Sequence, residues 1–392
     1  MNWIEKMIAE QCPKGVKSIE LAKICRLSQG TQIDKEKQSL EYYDGSLPFL
    51  RIIDFTQGNE EPRYVSNEYA NYLMNNDDVA MVRYGAAGYV CTGKYGVLAN
   101  NLFKITPLDA NLSKRFLYHC LSSIHTQKRI KESIQQGGLP AISFKFMNRL
   151  PIPLPPLSIQ EEIVSVLDKF SELIEKTDEE IALRQKQYEY YREKLLTFEN
   201  GEVEWKTINK IGQLVRGNGL QKTDFREKGT GCIHYGQIYT KLGFSLNKTL
   251  SFVSDELANK LTKVEPGDLV IACTSENVED VCKSVVWLGK ETVVTGGHAC
   301  VFKHNENPKY IGYCFLTHDF FQQKKQYAYG AKVIDIKTEK LGQIKLPIPS
   351  LSRQQDIVAT LDKFDTLISK LKEERELRQK QYEYYREKLL TF

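Results

Sequence analysis

Two narrow apolar stripes at heptad spacing dominate the pattern of the chain, each on a stretch without an internal proline or glycine. The first runs through Ile163, Leu167, Phe170, Ile174, Ile181, Tyr188, Tyr191, Leu195 and Phe198. The second runs through Ile357, Leu361, Phe364, Ile368, Leu371, Tyr382, Tyr385, Leu389 and Phe392. A stripe this narrow over so many turns fits a coiled-coil seam better than a face buried in a globular core. Thr177, Arg184, Arg375 and Arg378 interrupt it. Pro155 and Pro156 precede the first stripe, and Ser158 followed by Glu161 has capping-box spacing, so a helix is expected to open at Ser158. Ser352-Arg-Gln-Gln opens the second in the same way. Roughly 40 residues at a rise of 1.5 Å make a rod of about 60 Å.

The two stretches are copies of one another. Leu183–Phe198 reads LRQKQYEYYREKLLTF, and Leu377–Phe392 repeats it without a difference, half a chain later. Weaker matches extend upstream: IVSVLDKF (Ile163–Phe170) with IVATLDKF (Ile357–Phe364), and LPIP at Leu150–Pro153 with LPIP at Leu346–Pro349. The period is far longer than a solenoid repeat. A duplication without mechanical meaning would not concentrate identity in the helices while the remainder drifts apart. The pattern implies one fixed task for the helices and two different tasks for the rest.

Two such rods in one chain are expected to pair with each other, and antiparallel pairing suits the connectivity. Ile163, Leu167, Phe170, Ile174, Ile357, Leu361, Phe364 and Ile368 are assigned to the seam. The tyrosines of QKQYEYYREK are placed there too, and the charges face solvent or a partner. The expected fold class is α+β: two similar α/β domains (1–150 and 199–345) separated by a pair of long antiparallel helices (151–198 and 346–392), pseudo-two-fold within one chain.

The other segments carry short strand-like runs, including Leu47–Ile53, Val79–Tyr84, Asp268–Cys273 and Ser284–Leu288. Turns break them at Gly85–Gly88, Asn100-Asn101 and Gly296-Gly297. Helices are expected around Lys114–Ser122 and Tyr310–Thr317. A curved, mostly antiparallel sheet follows. Faint parallels link the two domains: VKSI (Val16–Ile19) with WKTI (Trp205–Ile208), Gly30 with Gly217, LPFLRIIDF with GCIHYGQIY, and GGLPAIS with YGAKVIDI.

A length of 392 residues exceeds what one compact core serves. No apolar run is long enough to span a bilayer, and the amino-terminal MNWIEKMIAEQCPKG lacks a secretory layout, so a cytoplasmic protein without membrane partners is expected. None of the nine cysteines forms a C-x-x-C pair, which points to reduced, mostly buried thiols. A net charge of +4 does not announce nucleic-acid binding, but the distribution of charge matters more than the sum.

Catalytic motifs fail one by one. Asn307-Pro308-Lys309 lacks the second proline and the aromatic of a base-methylating motif. Gly217-Asn-Gly219 has Lys222 where a third glycine should stand, and Gly88 to Gly93-Lys94 is followed by Tyr95 in place of a magnesium-binding hydroxyl. His119 with His125, and His298 with His304, lack metal-ligand spacing; Glu276 and Glu279 lack a nuclease-like lysine pattern. No catalytic residue and no metal site is assigned.

RGNGLQKTDF, HYGQIYT, PGDLVIACTSENVEDV and TGGHACVF, taken with LPIP, the paired helices and the half-chain repeat, make the layout similar to the specificity subunit of type I restriction-modification enzymes. The resemblance covers essentially the whole chain. It implies two target-recognition domains, each reading half of a bipartite, asymmetric double-stranded DNA target. It also implies paired helices that act as a ruler and dock two modification (methyltransferase) subunits, which restriction subunits then join. S-adenosylmethionine, ATP and Mg are implied for those partners and no cofactor for this chain. The competing readings are a self-contained methyltransferase with a divergent site and a pure coiled-coil scaffold.

On such domains, polar residues of scaffolded loops would read base edges while Lys and Arg meet phosphates. The candidates in the first domain are Gln29, Thr31, Gln32, Arg51, Arg83, Tyr84, Asn100, Asn101, Gln135 and Gln136. In the second they are Arg216, Asn218, Gln221, Lys222, His234, Tyr235, Gln237, Ser275, Asn277, His298, Tyr329 and Lys332.

Overall fold

A computed structural model describes residues 3–56, 58, 60–134, 141–199 and 201–392. The chain divides into two compact units, residues 1–179 with 372–392 and residues 180–371. The two long helices are Leu157–Leu196 and Leu351–Leu390, 40 residues each. Each unit therefore owns the front half of one long helix and the back half of the other.

The expected capping box does not form. The first helix starts from the Pro156 carbonyl, which accepts the amides of Ile159 and Gln160, and Ser158 lies inside the first turn with its hydroxyl donating to Gln11 at 3.0 Å. In the second copy it is Ser350, not Ser352, whose hydroxyl accepts an amide of the first turn, from Arg353. The start is held by a buried glutamine instead. Gln160 accepts from the Ser113 amide (2.9 Å) and donates to the carbonyls of Asn111 (2.6 Å) and Pro155 (2.8 Å). Gln354 accepts from the Asn307 amide (3.0 Å) and donates to the Pro349 carbonyl (3.0 Å) and the Glu306 carboxylate (2.7 Å). Sequence spacing favoured the local hydroxyl, and a tertiary partner won.

Within the first unit the helix halves run antiparallel. Ile163, Leu167 and Ile174 share a core cluster with Tyr382 and Leu389, and Phe170 stacks on Tyr385 at 5.3 Å. Of the polar residues that break the stripe, Thr177, Arg375 and Arg378 bond across the helix pair. Thr177 accepts from Arg378 (2.8 Å), which also donates to the Leu173 carbonyl, and Arg375 donates to Asp178 (3.1 Å). In the second unit Ile357, Leu361 and Ile368 are buried with Tyr188, Leu196 and Phe198, and Phe364 stacks on Tyr191 at 5.5 Å. Not every tyrosine takes the seam: Tyr190 and Tyr384 are 59% and 61% exposed, one residue around the helix from the stacked pair.

The back half of each helix also caps a helix of the unit it enters. Glu387 accepts the amides of Ile124 and His125 at the start of Ile124–Ser133, and Glu193 accepts the amide of His318 at the start of His318–Lys325. A carboxylate there satisfies orphan donors and complements the helix dipole. The front halves are tied by acids. Asp168 accepts from Arg115 (2.8 Å) and lies 2.9 Å from His119, and burial holds that imidazole below its ordinary value. Asp362 accepts from Lys309 (2.7 Å) and Tyr313 (2.8 Å), and Asp365 lies on the same hydroxyl at 2.8 Å. Burial pushes the Asp365 carboxyl above the usual carboxylate range, reinforced by the nearby Asp362 charge.

The two units share a sheet plan. In the first, Cys25–Gln29, Leu102–Pro107, Val79–Val82 and Val90–Cys91 lie side by side, all antiparallel. In the second, Gly212–Arg216, Ala299–His304, Leu269–Ala272 and Ser284–Trp287 do the same, and Ser245–Leu246 adds a parallel edge. A further four-stranded sheet in each unit contains one parallel pair, Phe49 with Val97 and Cys232 with Val294. The expected strand Leu47–Ile53 ends at Leu50. Asp54 accepts both the backbone amide and the guanidinium of Arg51 and so turns the chain into the helix Ile52–Thr56. VKSI and WKTI have a partner each: Ser18–Glu20 pairs with Pro151–Pro153, and Glu204–Thr207 with Lys345–Ile348, so LPIP is an edge strand where proline is tolerated. All nine cysteines are free thiols, eight of them buried.

Replacing Gln160 or Gln354 by leucine strands buried backbone donors and acceptors. Each variant is expected to lose about 1–3 kcal/mol in urea unfolding. Asp365→Asn has the opposite sign. The folded state raises this carboxyl, so its ionisation at neutral pH works against folding, and a permanently neutral amide stabilises the protein at pH 7. The gain in melting temperature should vanish near the ordinary carboxylate value, about pH 4.

Candidate nucleic-acid interface

In both units three neighbouring strands end at one edge, and most candidate residues leave from it. The edge requires a glycine. A Cβ on Gly30 would lie 2.2 Å from the Ala99 carbonyl oxygen, and one on Gly217 would lie 2.0 Å from that of Gly296. The two amides make the same bond, Gly30 to the Leu102 carbonyl (2.9 Å) and Gly217 to that of Ala299 (2.8 Å). This close crossing brings together the loops that follow the two outer strands and the loop that precedes the central one.

In the first unit it assembles Gln29, Thr31, Gln32, Arg83, Tyr84, Asn100 and Asn101. Gln29 is consumed at both ends of its amide: its oxygen accepts from Arg83 (2.8 Å), and its nitrogen donates to the carbonyls of Asn100 and Leu102. Arg83 also donates to the Ile142 carbonyl and lies over the Phe144 ring at 4.6 Å, so both residues brace the edge. Tyr84 donates to the Asn100 carbonyl (3.1 Å), and the Asn100 amide donates to Gln32. Thr31 bridges to Ala99, and the buried Oδ1 of Asn101 has no partner. Arg51 is committed elsewhere, to Asp54 (2.9 Å) and Glu60 (2.7 Å). Gln135 and Gln136 lie outside the described residues.

The second unit presents a different set on the same edge. Arg216 ends its strand and donates from Nε to the Gly297 carbonyl (3.2 Å). Its Nη2 lies 3.6 Å from the Asp335 carboxylate. Next to it His298 shares a 3.2 Å hydrogen bond with Thr274, and the rings of His234, Tyr235 and His298 follow at centroid distances of 4.6 and 4.7 Å. His234 is buried and caps the next helix by accepting from Gly236; burial holds it below its ordinary value, helped by Lys222 and His298. Gln237 donates to Ser251 (2.7 Å) and is a brace. Ser275 pairs with Ile334, which brings the hairpin Tyr329–Asp335 to this edge, with exposed Lys332 at its tip.

Other candidates sit in flanking turns. Asn218 donates to the Lys260 carbonyl (2.9 Å) and accepts from Thr262 (3.1 Å). Gln221 and Lys222 belong to a short turn closed by Asp224, and Asn277 accepts from the Asp280 amide. Leu220, with φ of 58°, is a left-handed non-glycine residue in that same loop, the kind of local strain that gathers at working surfaces. Sequence reasoning passed over Thr274 and Asp335. The only signal was the match of YGAKVIDI to GGLPAIS, which placed the segment without singling out its acid.

Comparison with known proteins follows these geometries. The family model described as type I restriction modification DNA specificity domain matches twice, at residues 13–183 and 200–379. The specificity subunit of a type I restriction enzyme from Escherichia coli is 32% identical over 300 residues, covering 74% of this chain and 73% of that protein. Another, from Methanocaldococcus jannaschii, is 23% identical over 358 residues, covering 86% and 83%. The crystal structure of a type I restriction-modification S subunit from M. genitalium superposes with a TM-score of 0.58 at 16% identity, covering 96% of each chain, a likeness of fold.

Gly30→Ala and Gly217→Ala should each lower unfolding free energy by about 1–3 kcal/mol, since the backbone must give way. Gly243→Ala, with open space around it, should leave calorimetric stability unchanged.

Proposed function

This chain belongs to the type I restriction-modification DNA specificity family, and from that premise we propose that each unit reads one half of a bipartite, asymmetric duplex target. The chain is the non-catalytic specificity subunit, which sets aside the self-contained methyltransferase and the bare scaffold. The observation that supports two-part reading is the shared glycine-gated edge carrying unlike side chains: a consumed Gln29 in one unit and a forked Arg216 in the other. One geometry with two chemistries is what two different half-sites require.

The long helices then serve as the ruler between half-sites and as the docking element for two modification subunits, with restriction subunits joining that complex. S-adenosylmethionine, ATP and Mg belong to those partners, and this chain binds none of them. Among the described residues no helix is long and apolar enough to cross a membrane.

Methylation mapping of a genome with and without this chain tests the reading. A single two-part motif should be modified only when the chain is present; loss of no motif would refute it. In duplex binding by the assembled methyltransferase, Lys332→Ala should weaken all sequences alike and reduce the log–log salt slope by about one. An unchanged slope would move the DNA face away from the Tyr329–Asp335 hairpin.

A further inference from the structure

An acid on a surface meant for DNA needs a reason, because it repels phosphates. Asp335 is such an acid. One carboxylate oxygen accepts from Tyr329 at 3.3 Å, and the other lies 3.6 Å from Arg216 Nη2. Arg216 is also held at Nε by the Gly297 carbonyl, and its strand continues into the tightly crossed Gly217. Its side chain is 35% exposed and that of Asp335 23%, so the pair sits at the rim of the edge rather than in the core. With Nε taken and Nη2 facing Asp335, the Nη hydrogens not aimed at these partners remain, on a planar fork fixed in place.

Two ligands fit such a fork, a phosphate and the major-groove edge of guanine, whose O6 and N7 are both acceptors. The neighbouring carboxylate decides between them. It disfavours a phosphate, which carries a full negative charge, and tolerates guanine, which is neutral. We propose that Arg216 contacts a guanine in the half-site read by the second unit, and that Asp335 is the positioning residue that turns its guanidinium toward the base. This rests on the two-part DNA reading above. Among the described residues of the first unit, the matching strand end carries Gln29, which spends its amide on Arg83 and on backbone carbonyls.

The test is selection from a pool of random-sequence duplexes by the full complex with its methyltransferase subunits. It compares the natural chain with Arg216→Ala, Asp335→Asn and Tyr329→Phe, each checked for an unchanged melting temperature. The natural complex should enrich a guanine in the second half-site, and 7-deazaguanine there, which keeps O6 but loses the N7 acceptor, should weaken binding about tenfold. Arg216→Ala should abolish the preference and be insensitive to 7-deazaguanine. Asp335→Asn should relax the same position severalfold while binding unrelated duplexes more tightly, a change that a merely structural role would not produce; Tyr329→Phe should relax it less. A second half-site without guanine, or an Asp335→Asn complex with intact preference, overturns the inference. A natural complex that enriches no sequence overturns the DNA reading beneath it.

Discussion

Everything in this molecule depends on one constraint: a long helix with a narrow apolar stripe cannot be stable on its own. Each helix solves this by serving two cores. Its front half is anchored by a buried glutamine and an acid, Gln160 with Asp168 or Gln354 with Asp362, to the unit that precedes it in the chain. Its back half packs into the other unit, where Glu193 or Glu387 caps a helix. Each copy of the identical LRQKQYEYYREKLLTF makes comparable contacts, a tyrosine stacked on a phenylalanine and a glutamate at the start of a helix. Further upstream the same aspartate meets different partners: Asp168 a histidine and an arginine, Asp362 a tyrosine and a lysine.

The same economy shapes the two edges. Gly30 and Gly217 allow backbones to cross at a distance no side chain permits, and this brings three loops together through the backbone. Side chains are then free to diverge. In the first unit Gln29, Arg83, Tyr84 and Asn100 bond mainly to each other and to backbone, a rigid frame. In the second, Arg216, His298 and Tyr329 keep polar atoms toward solvent and are oriented by Thr274 and Asp335. Preorganisation of this kind favours discrimination over raw affinity, which suits a chain whose net charge is only +4.

Half-chain periodicity, heptad stripes and an exact repeat are local or self-referential signals, so the amino-acid order alone determined the two long helices, their partnership, the duplicated α/β domains and the family. Helix Lys114–Ser122 was also legible to the residue, because its pattern is short-range. Tertiary contacts decided the rest. They moved the helix start from Ser158 to Leu157, cut the run Leu47–Ile53 at Arg51, and sent Tyr190 and Tyr384 outward while Tyr188 and Tyr382 were buried. They also committed the Gln29 amide to Arg83 and to backbone carbonyls, and they brought Asp335 to an arginine far away in sequence. A spacing rule sees only what lies within a few residues, whereas the fate of a polar group is set by whichever donor or acceptor the folded chain puts within three ångströms of it.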